Sequence, residues 1–298
     1  MKNSEKGIAI VLVLLIMALM TAMVVEFASM TYTANASLSN WKDSQTLSLA
    51  ARSGINLAVK VLSDKYDRYS YTYPGSITMP IPNILENFEG IVVIKAEDEN
   101  GKFNINSIVM PNNTVNKKEY DSFKRLLKNL ELDEKIADKV ADWIDNDNEP
   151  RLEKSEEGAK NAYMDSVSEL CLIIDSKSYE KLLPFITVYG IGNIYANTIN
   201  INSASVPVLM AFDDAITAEL AERIVSYRAV EPFQQTSDIV KVAGFEGSLG
   251  QSLMGRITVK ASNFRIVSEA SVNGIKRIID SVVGMTYGSF TVMYWQET

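Results

Sequence analysis

Histidine is absent from all 298 residues. That absence removes Ser-His-Asp and Cys-His catalysis, His-ligated zinc and the commonest general base. Cysteine occurs once, as Cys171 in Ser168-Glu-Leu-Cys-Leu-Ile-Ile174, so no intramolecular disulfide can form. An extracytoplasmic portion must then rely on its core or on a metal. No activating partner stands near Cys171, and it reads as a buried residue on a helix face. Basic residues are in deficit, 29 against 37 acidic, for a net charge of -8. Such a balance argues against a phosphate-binding surface, which needs a basic patch. No proline occurs between Met1 and Tyr73.

What the chain does have is a long apolar run. A polar leader, Met1-Lys-Asn-Ser-Glu-Lys-Gly7, leads directly into Ile8 to Val25, where Thr21 is the only polar residue. As a helix this run spans about 27 Å, close to the roughly 30 Å hydrocarbon core of a bilayer. Three readings compete: a cleaved secretory signal, a signal anchor oriented by Lys2 and Lys6, and a type IV pilin-like leader cut after Gly7. Lys6-Gly7 directly before the apolar run favours the third. Beyond Val25 the pattern thins to one face, through Phe27, Met30, Ala34, Leu38, Trp41, Leu47, Ala50, Ile55, Ala58, Val59 and Leu62. One helix of some fifty residues is the simplest account; two helices broken near Ser37 to Asn40 are the alternative.

The chain changes character after this stem. Tyr66, Tyr69, Tyr71, Tyr73, Pro74, Gly75, Pro80 and Pro82 mark a turn-rich connection. Gly90 to Ala96 reads as a strand, and the Glu97-Asp-Glu-Asn-Gly101 turn predicts a hairpin with Lys102 to Ser107. At the far end, Asn263 to Ser271, Ile275 to Met285 and Ser289 to Trp295 predict a meander, with Asn273-Gly274 as its strongest turn signal. Amphipathic helical segments fill the interval between, so the terminal strands are expected to pair across an insertion.

Two details of that insertion stand out. Phe103-Asn-Ile-Asn-Ser107 and Ile199-Asn-Ile-Asn-Ser203 form a weak internal repeat, each placing side chains where they can cap the following turn. Asp145, Asp147 and Glu149 lie at alternate positions, a spacing that lets a turning loop aim oxygens at one hard cation, with Glu156 at the twelfth position. Pro150 stands where a calcium loop of the EF type would need glycine. The competing reading of this stretch is a solvated acidic loop capping two helices.

Gly7 before an apolar helix, Asp98-Glu-Asn-Gly-Lys-Phe-Asn-Ile-Asn106, Ala141-Asp-Trp-Ile-Asp-Asn-Asp147, Gly158-Ala159, Ser168-Glu-Leu170, Asn200-Ile-Asn-Ser-Ala204 and Arg228 to Phe233 occur in a telling order. In it the chain resembles the minor pseudopilin K family of type II secretion, the GspK-like group, over its full length. The resemblance implies an α+β pilin fold, a long N-terminal helix on an antiparallel sheet, with a large inserted α-helical domain. The expected division is a leader over 1–7, a transmembrane and stem helix over 8–65, a core from 66–108 and 260–298, and an insert over 109–259.

It further implies cleavage between Gly7 and Ile8 by a prepilin peptidase and a single pass through the bacterial inner membrane, with the bulk of the chain periplasmic. Assembly would follow with the I- and J-type minor pseudopilins, the major pseudopilin and the inner-membrane assembly platform. Most pilins carry glutamate at the fifth mature residue, where this chain has Leu12. A subunit at the fibre tip has no neighbour above it requiring that carboxylate, so Leu12 suits an initiating or capping position. The family's calcium site lies in the acidic loop, adding Glu157 and Asn161 to Asp145, Asp147, Glu149 and Glu156 as candidate ligands for Ca2+. Where the family places an acidic pair after Gly-Ala, this chain has Lys160 and Asn161.

Other classes are weaker. Ile199 to Ser205, Ala218 to Arg228 and Pro232 to Gly244 resemble the helix-hairpin-helix modules of DNA-uptake receptors, which contact phosphate through a glycine-containing hairpin. Phe212-Asp-Asp-Ala-Ile216 has no glycine and two carboxylates, so no nucleic acid is expected. No carboxylate pair stands out for enzymatic chemistry. A minor pilin of a type IV pilus or competence system is the nearest alternative.

Overall fold

A computed structural model describes every residue except Met1, Tyr73, Pro74, Asn83, Asn87, Asn148, Lys154 and Asn273, with the backbone alone for residues 2–7. In chain order the elements are α1 (Lys2–Arg68), β1 (Ile77–Pro82), β2 (Ile91–Asp98), β3 (Phe103–Asn104), α2 (Lys117–Asn129), α3 (Ile136–Ile144), α4 (Ser176–Leu182), β4 (Ile186–Thr187), β5 (Ile199–Asn200), α5 (Val206–Ala211), α6 (Ala218–Val230), α7 (Ser248–Met254), β6 (Ile257–Thr258), β7 (Asn263–Val272), β8 (Ile275–Thr286) and β9 (Ser289–Glu297).

The stem is one unbroken helix, with no interruption near Ser37 to Asn40. Neither proline nor glycine occurs between Gly7 and Gly54 to break it. Within its apolar half, Thr21 returns its hydroxyl to the Met17 carbonyl at 2.8 Å, so the one polar side chain there is satisfied internally. The apolar stripe is buried only from Leu47 onward; Phe27, Met30, Leu38 and Trp41 are exposed. Leu47, Ala50, Ala51, Ile55, Ala58, Val59 and Leu62 pack against Val92, Ile94, Phe264, Ile266, Ile279 and Val283 of the sheet. Gly54 permits the closest approach: a β-carbon there would collide with the Ser268 hydroxyl and meet Val92 Cγ1 at 3.0 Å.

That sheet is antiparallel throughout, in the order β1-β2-β7-β8-β9. The terminal strands therefore pair across the insertion, β2 running beside β7 from Ile91↔Ser271 to Asp98↔Phe264. Gly274, at φ +82, turns the β7–β8 hairpin; its neighbour Asn273 lies outside the described residues. Two expectations fail here. The turn-rich connection contains β1, an edge strand that tolerates Pro80 and Pro82 because an edge residue need not donate on its open side.

The expected hairpin does not form either. Asp98 accepts from the Asn100 amide at 2.7 Å and starts a 3-10 turn that carries the chain out of the sheet. Phe103 then pairs in parallel with Ile186 of β4.

The insertion is built twice from one plan. β3 pairs in parallel with β4, and β5 with β6, each beginning at the Asn-Ile-Asn-Ser sequence. Asn104 and Asn200 cap the turn that follows, each accepting from the amide two residues on at 3.1 Å. The buried amide of Asn106 donates to the Met164 and Val188 carbonyls and accepts from the Met164 N–H; that of Asn202 does the same with Phe233 and Val259. Two residues beyond each anchor comes a capping box, Ser166 with Glu169 and Gln235 with Asp238. The repeat is thus one of shared geometry as well as of residues.

The copies share a continuous core, from Phe103, Phe123 and Leu126 to Phe233, Ile239 and Phe245. They differ most in one connection. Glu231 and Pro232 alone join α6 to Phe233, whereas residues 145–163 join α3 to Met164.

Candidate metal centre

The long connection begins where α3 ends. Asp142 and Asp145, three residues apart on the last turn, lie on one side of the helix and are fully buried. Carboxylates at a helix C-terminus oppose the partial negative charge of the unpaired carbonyls, so a pair buried there demands cations. Glu156 reaches the same place from the loop, and ligand atoms of Asp142, Asp145 and Glu156 lie within 4.8 Å of one another. Gly158, at φ +79, turns the chain back immediately afterwards.

The three carboxylates are not equivalent. Asp142 is saturated: it takes the Arg151 backbone N–H at 2.9 Å and close contacts from the Arg151 guanidinium and the Ser155 hydroxyl. Asp145 forms an ion pair with Arg151 Nη2 at 2.7 Å. Among the described residues, no aligned hydrogen-bond donor meets the buried oxygens of Asp145 and Glu156. Burial pushes the Asp145 and Glu156 carboxyls up from the ordinary range, and neighbouring carboxylates push them further. Arg151 holds Asp145 back only in part. Open, converging carboxylate oxygens suit a hard divalent cation such as Ca2+, so the residues present fit that ion.

The structure brings Asp145 and Glu156 together from the expected set. Asp147 is half-buried and accepts from the Glu149 amide at 2.9 Å. Glu149, Glu157 and Asn161 are exposed and outside the cluster; Asn161 donates its N–H to the Trp143 carbonyl at 3.0 Å. Lys160, the departure from the family pattern, turns away from the cluster to Asp165 and to Glu169 at 2.9 Å. Asp142 was absent from the expected ligands. Its spacing of three from Asp145 on a predicted helix was the available signal.

Gly7 and Ile8 fall in the first turns of α1; the surroundings of Gly7 lie outside the described residues, and Ile8 and Leu12 are exposed. Cys171 corrects the sequence reading: it is exposed. Val167 and Leu170, three apart on the 3-10 helix Val167–Leu172, turn inward, and Cys171 sits about a third of a turn away.

Family models described as "Type II secretion system (T2SS), protein K" match residues 101–190 and 199–260, bracketing the two copies of the repeat. The type II secretion system protein K of Pseudomonas aeruginosa is 28% identical over 306 residues, covering 95% of this chain and 90% of that protein. That of Pectobacterium carotovorum is also 28% identical, covering 79% and 81%. Among solved structures, a chain in the crystal structure of the GspK-GspI-GspJ complex from enterotoxigenic Escherichia coli superposes with a TM-score of 0.69. It is 21% identical, and the match covers 87% of this chain and 98% of that one.

Proposed function

Because the chain belongs to the type II secretion system protein K family, a structural and non-enzymatic one, we propose that it is the minor pseudopilin at the tip of a type II secretion pseudopilus. There it initiates or caps assembly and so supports export of proteins across the outer membrane. The observation that carries this reading is the combination of an unpartnered apolar stem with a bulky doubled insert between β2 and β7. From Ile8 to Trp41 every residue of α1 is exposed, and the segment is long and apolar enough to cross a membrane.

In this reading the apolar half of α1 anchors the precursor once in the inner membrane, with the core (66–108 and 260–298) and insert (109–259) in the periplasm. A prepilin peptidase cuts between Gly7 and Ile8. The freed stem then leaves the bilayer to pack with the helices of neighbouring subunits, through the van der Waals contacts that drive helix association in lipid. Leu12 suits a subunit with no neighbour above it. The partners are the I- and J-type minor pseudopilins, since GspI and GspJ are the chains complexed with GspK in the similar crystal structure, then the major pseudopilin and the inner-membrane assembly platform. The acidic loop takes one Ca2+, with Asp145 and Glu156 as its carboxylate ligands and Asp142 behind them.

Deleting the gene is expected to abolish secretion while leaving pilus-dependent traits intact. Restoring it with Gly7 substituted should leave an uncleaved precursor and no secretion. A size shift on co-expression of the peptidase despite the substitution overturns the processing reading, and secretion that survives the deletion overturns the functional one.

A further inference from the structure

Resting on the calcium reading above, we propose that Arg151 is a built-in cation that holds the metal centre closed and must release Asp145 when a divalent ion binds. The geometry assigns this role. One guanidinium forks across the i, i+3 carboxylates at the end of α3, Nη1 on Asp142 and Nη2 on Asp145. The two contacts differ in support. Asp142 is also held by the Arg151 backbone N–H and the Ser155 hydroxyl, so its tie to the loop does not depend on the fork alone. Among the described residues, the Asp145 carboxylate is held by Nη2 alone, and nothing donates to Glu156 opposite it.

Charge decides how the exchange runs. Three carboxylates and one guanidinium leave two negative charges among these four side chains. If Arg151 stays with Asp142 as a neutral pair, Asp145 and Glu156 together neutralise one divalent ion, and no buried charge is left over. An ion that takes both oxygens of Asp145 displaces Nη2 from Oδ2, since a cation and a guanidinium would otherwise share one carboxylate edge. Nη2 has somewhere to go: the Arg151 side chain is 26% exposed, whereas those of Asp142 and Asp145 are at 0%.

The latch has two consequences. Without an ion, the loop that lengthens the first copy of the repeat is still tied to α3. With an ion, part of the binding energy is spent separating Arg151 from Asp145, so affinity is lower than the carboxylates alone would give.

The test is calcium titration by isothermal calorimetry of the full-length chain in detergent, wild type against Arg151→Gln and Arg151→Lys, with melting temperatures in EDTA. Arg151→Gln is expected to bind calcium about tenfold more tightly and to melt lower in EDTA. Arg151→Lys keeps the charge but not the fork and should fall between the two; it serves alone if the glutamine variant does not fold. Calcium binding that is unchanged or weaker in the variants, with a binding wild type, overturns the latch and leaves the metal reading standing. No calcium heat from any of the proteins overturns both.

Discussion

Asn106 and Asn202 are the same anchor in two copies of one module. Each buried side-chain amide clips the residue two positions before a capping box to the residue after a two-residue parallel strand, with Met164 and Val188 in the first copy and Phe233 and Val259 in the second. Three hydrogen bonds converge on each side chain, and alanine leaves the backbone partners buried and unsatisfied. Asn106→Ala or Asn202→Ala should cost on the order of 3 kcal/mol of stability. Chemical denaturation of the full-length chain in detergent measures it; a loss within half a kcal/mol contradicts the anchoring role.

The contact of stem and sheet at Gly54 is equally specific. Any larger side chain drives α1 away from Ser268 and Val92, and so loosens the burial of Ala51, Ile55 and Ala58 on the same face. Gly54→Val should destabilise the chain by about 2 to 3 kcal/mol and speed proteolysis between stem and sheet. Insensitivity to trypsin, with an unchanged melting temperature, counts against the packing.

A chain without histidine has few groups that titrate between pH 5 and 7, which makes Asp98 conspicuous. It is the last residue of β2, and it accepts from Asn200 Nδ2 at 2.8 Å and from the Ser203 hydroxyl, tying the sheet to the second copy of the repeat. Burial pushes its carboxyl up to about 6, against the lowering effect of those donors. The folded state therefore holds this proton more tightly than the unfolded state. The resulting stabilisation is complete below pH 4 and disappears as pH rises through 6.

The magnitude is on the order of 3 kcal/mol. Asp145 and Glu156, also raised, add to the same slope. Glu97, Glu169 and Asp238, held low, oppose it at more acid pH. The readout is thus the difference between wild type and Asp98→Asn: the variant should lose part of the gain in stability seen from pH 7 to pH 5. Parallel profiles disprove the assignment.

Exposure of Cys171 is checked more simply. The native chain should react completely with a thiol reagent at the rate of an open thiol, with no need for denaturant. Labelling that waits for unfolding would restore the buried reading.

Legibility followed the range of the interactions. The stem could be read because an apolar run without proline or glycine is a local property. The pairing of terminal strands across the insert was legible from the inability of either set to stand alone. β1 was hidden by Pro80 and Pro82, which argue against a strand until its edge position is known. The supposed hairpin failed because the Asp98 cap, and not the turn composition, directs the chain onward.

The same division holds at the metal centre. Asp145 and Glu156 were visible as acidic residues at a suggestive spacing. What composition could not reveal is that Arg151 folds back onto α3, that Asp142 is saturated and that Lys160 turns away, because these depend on which side chains share a small buried volume. By itself the sequence determined the membrane-length stem, the absence of disulfide and histidine chemistry, and the order of sheet, insert and sheet, all set by local pattern and composition. Only the tertiary structure decided how far the stem is buried, that the insert is one module built twice, and which carboxylates stay open. Each of those rests on contacts between residues far apart in the chain, where packing and charge compensation choose the partners.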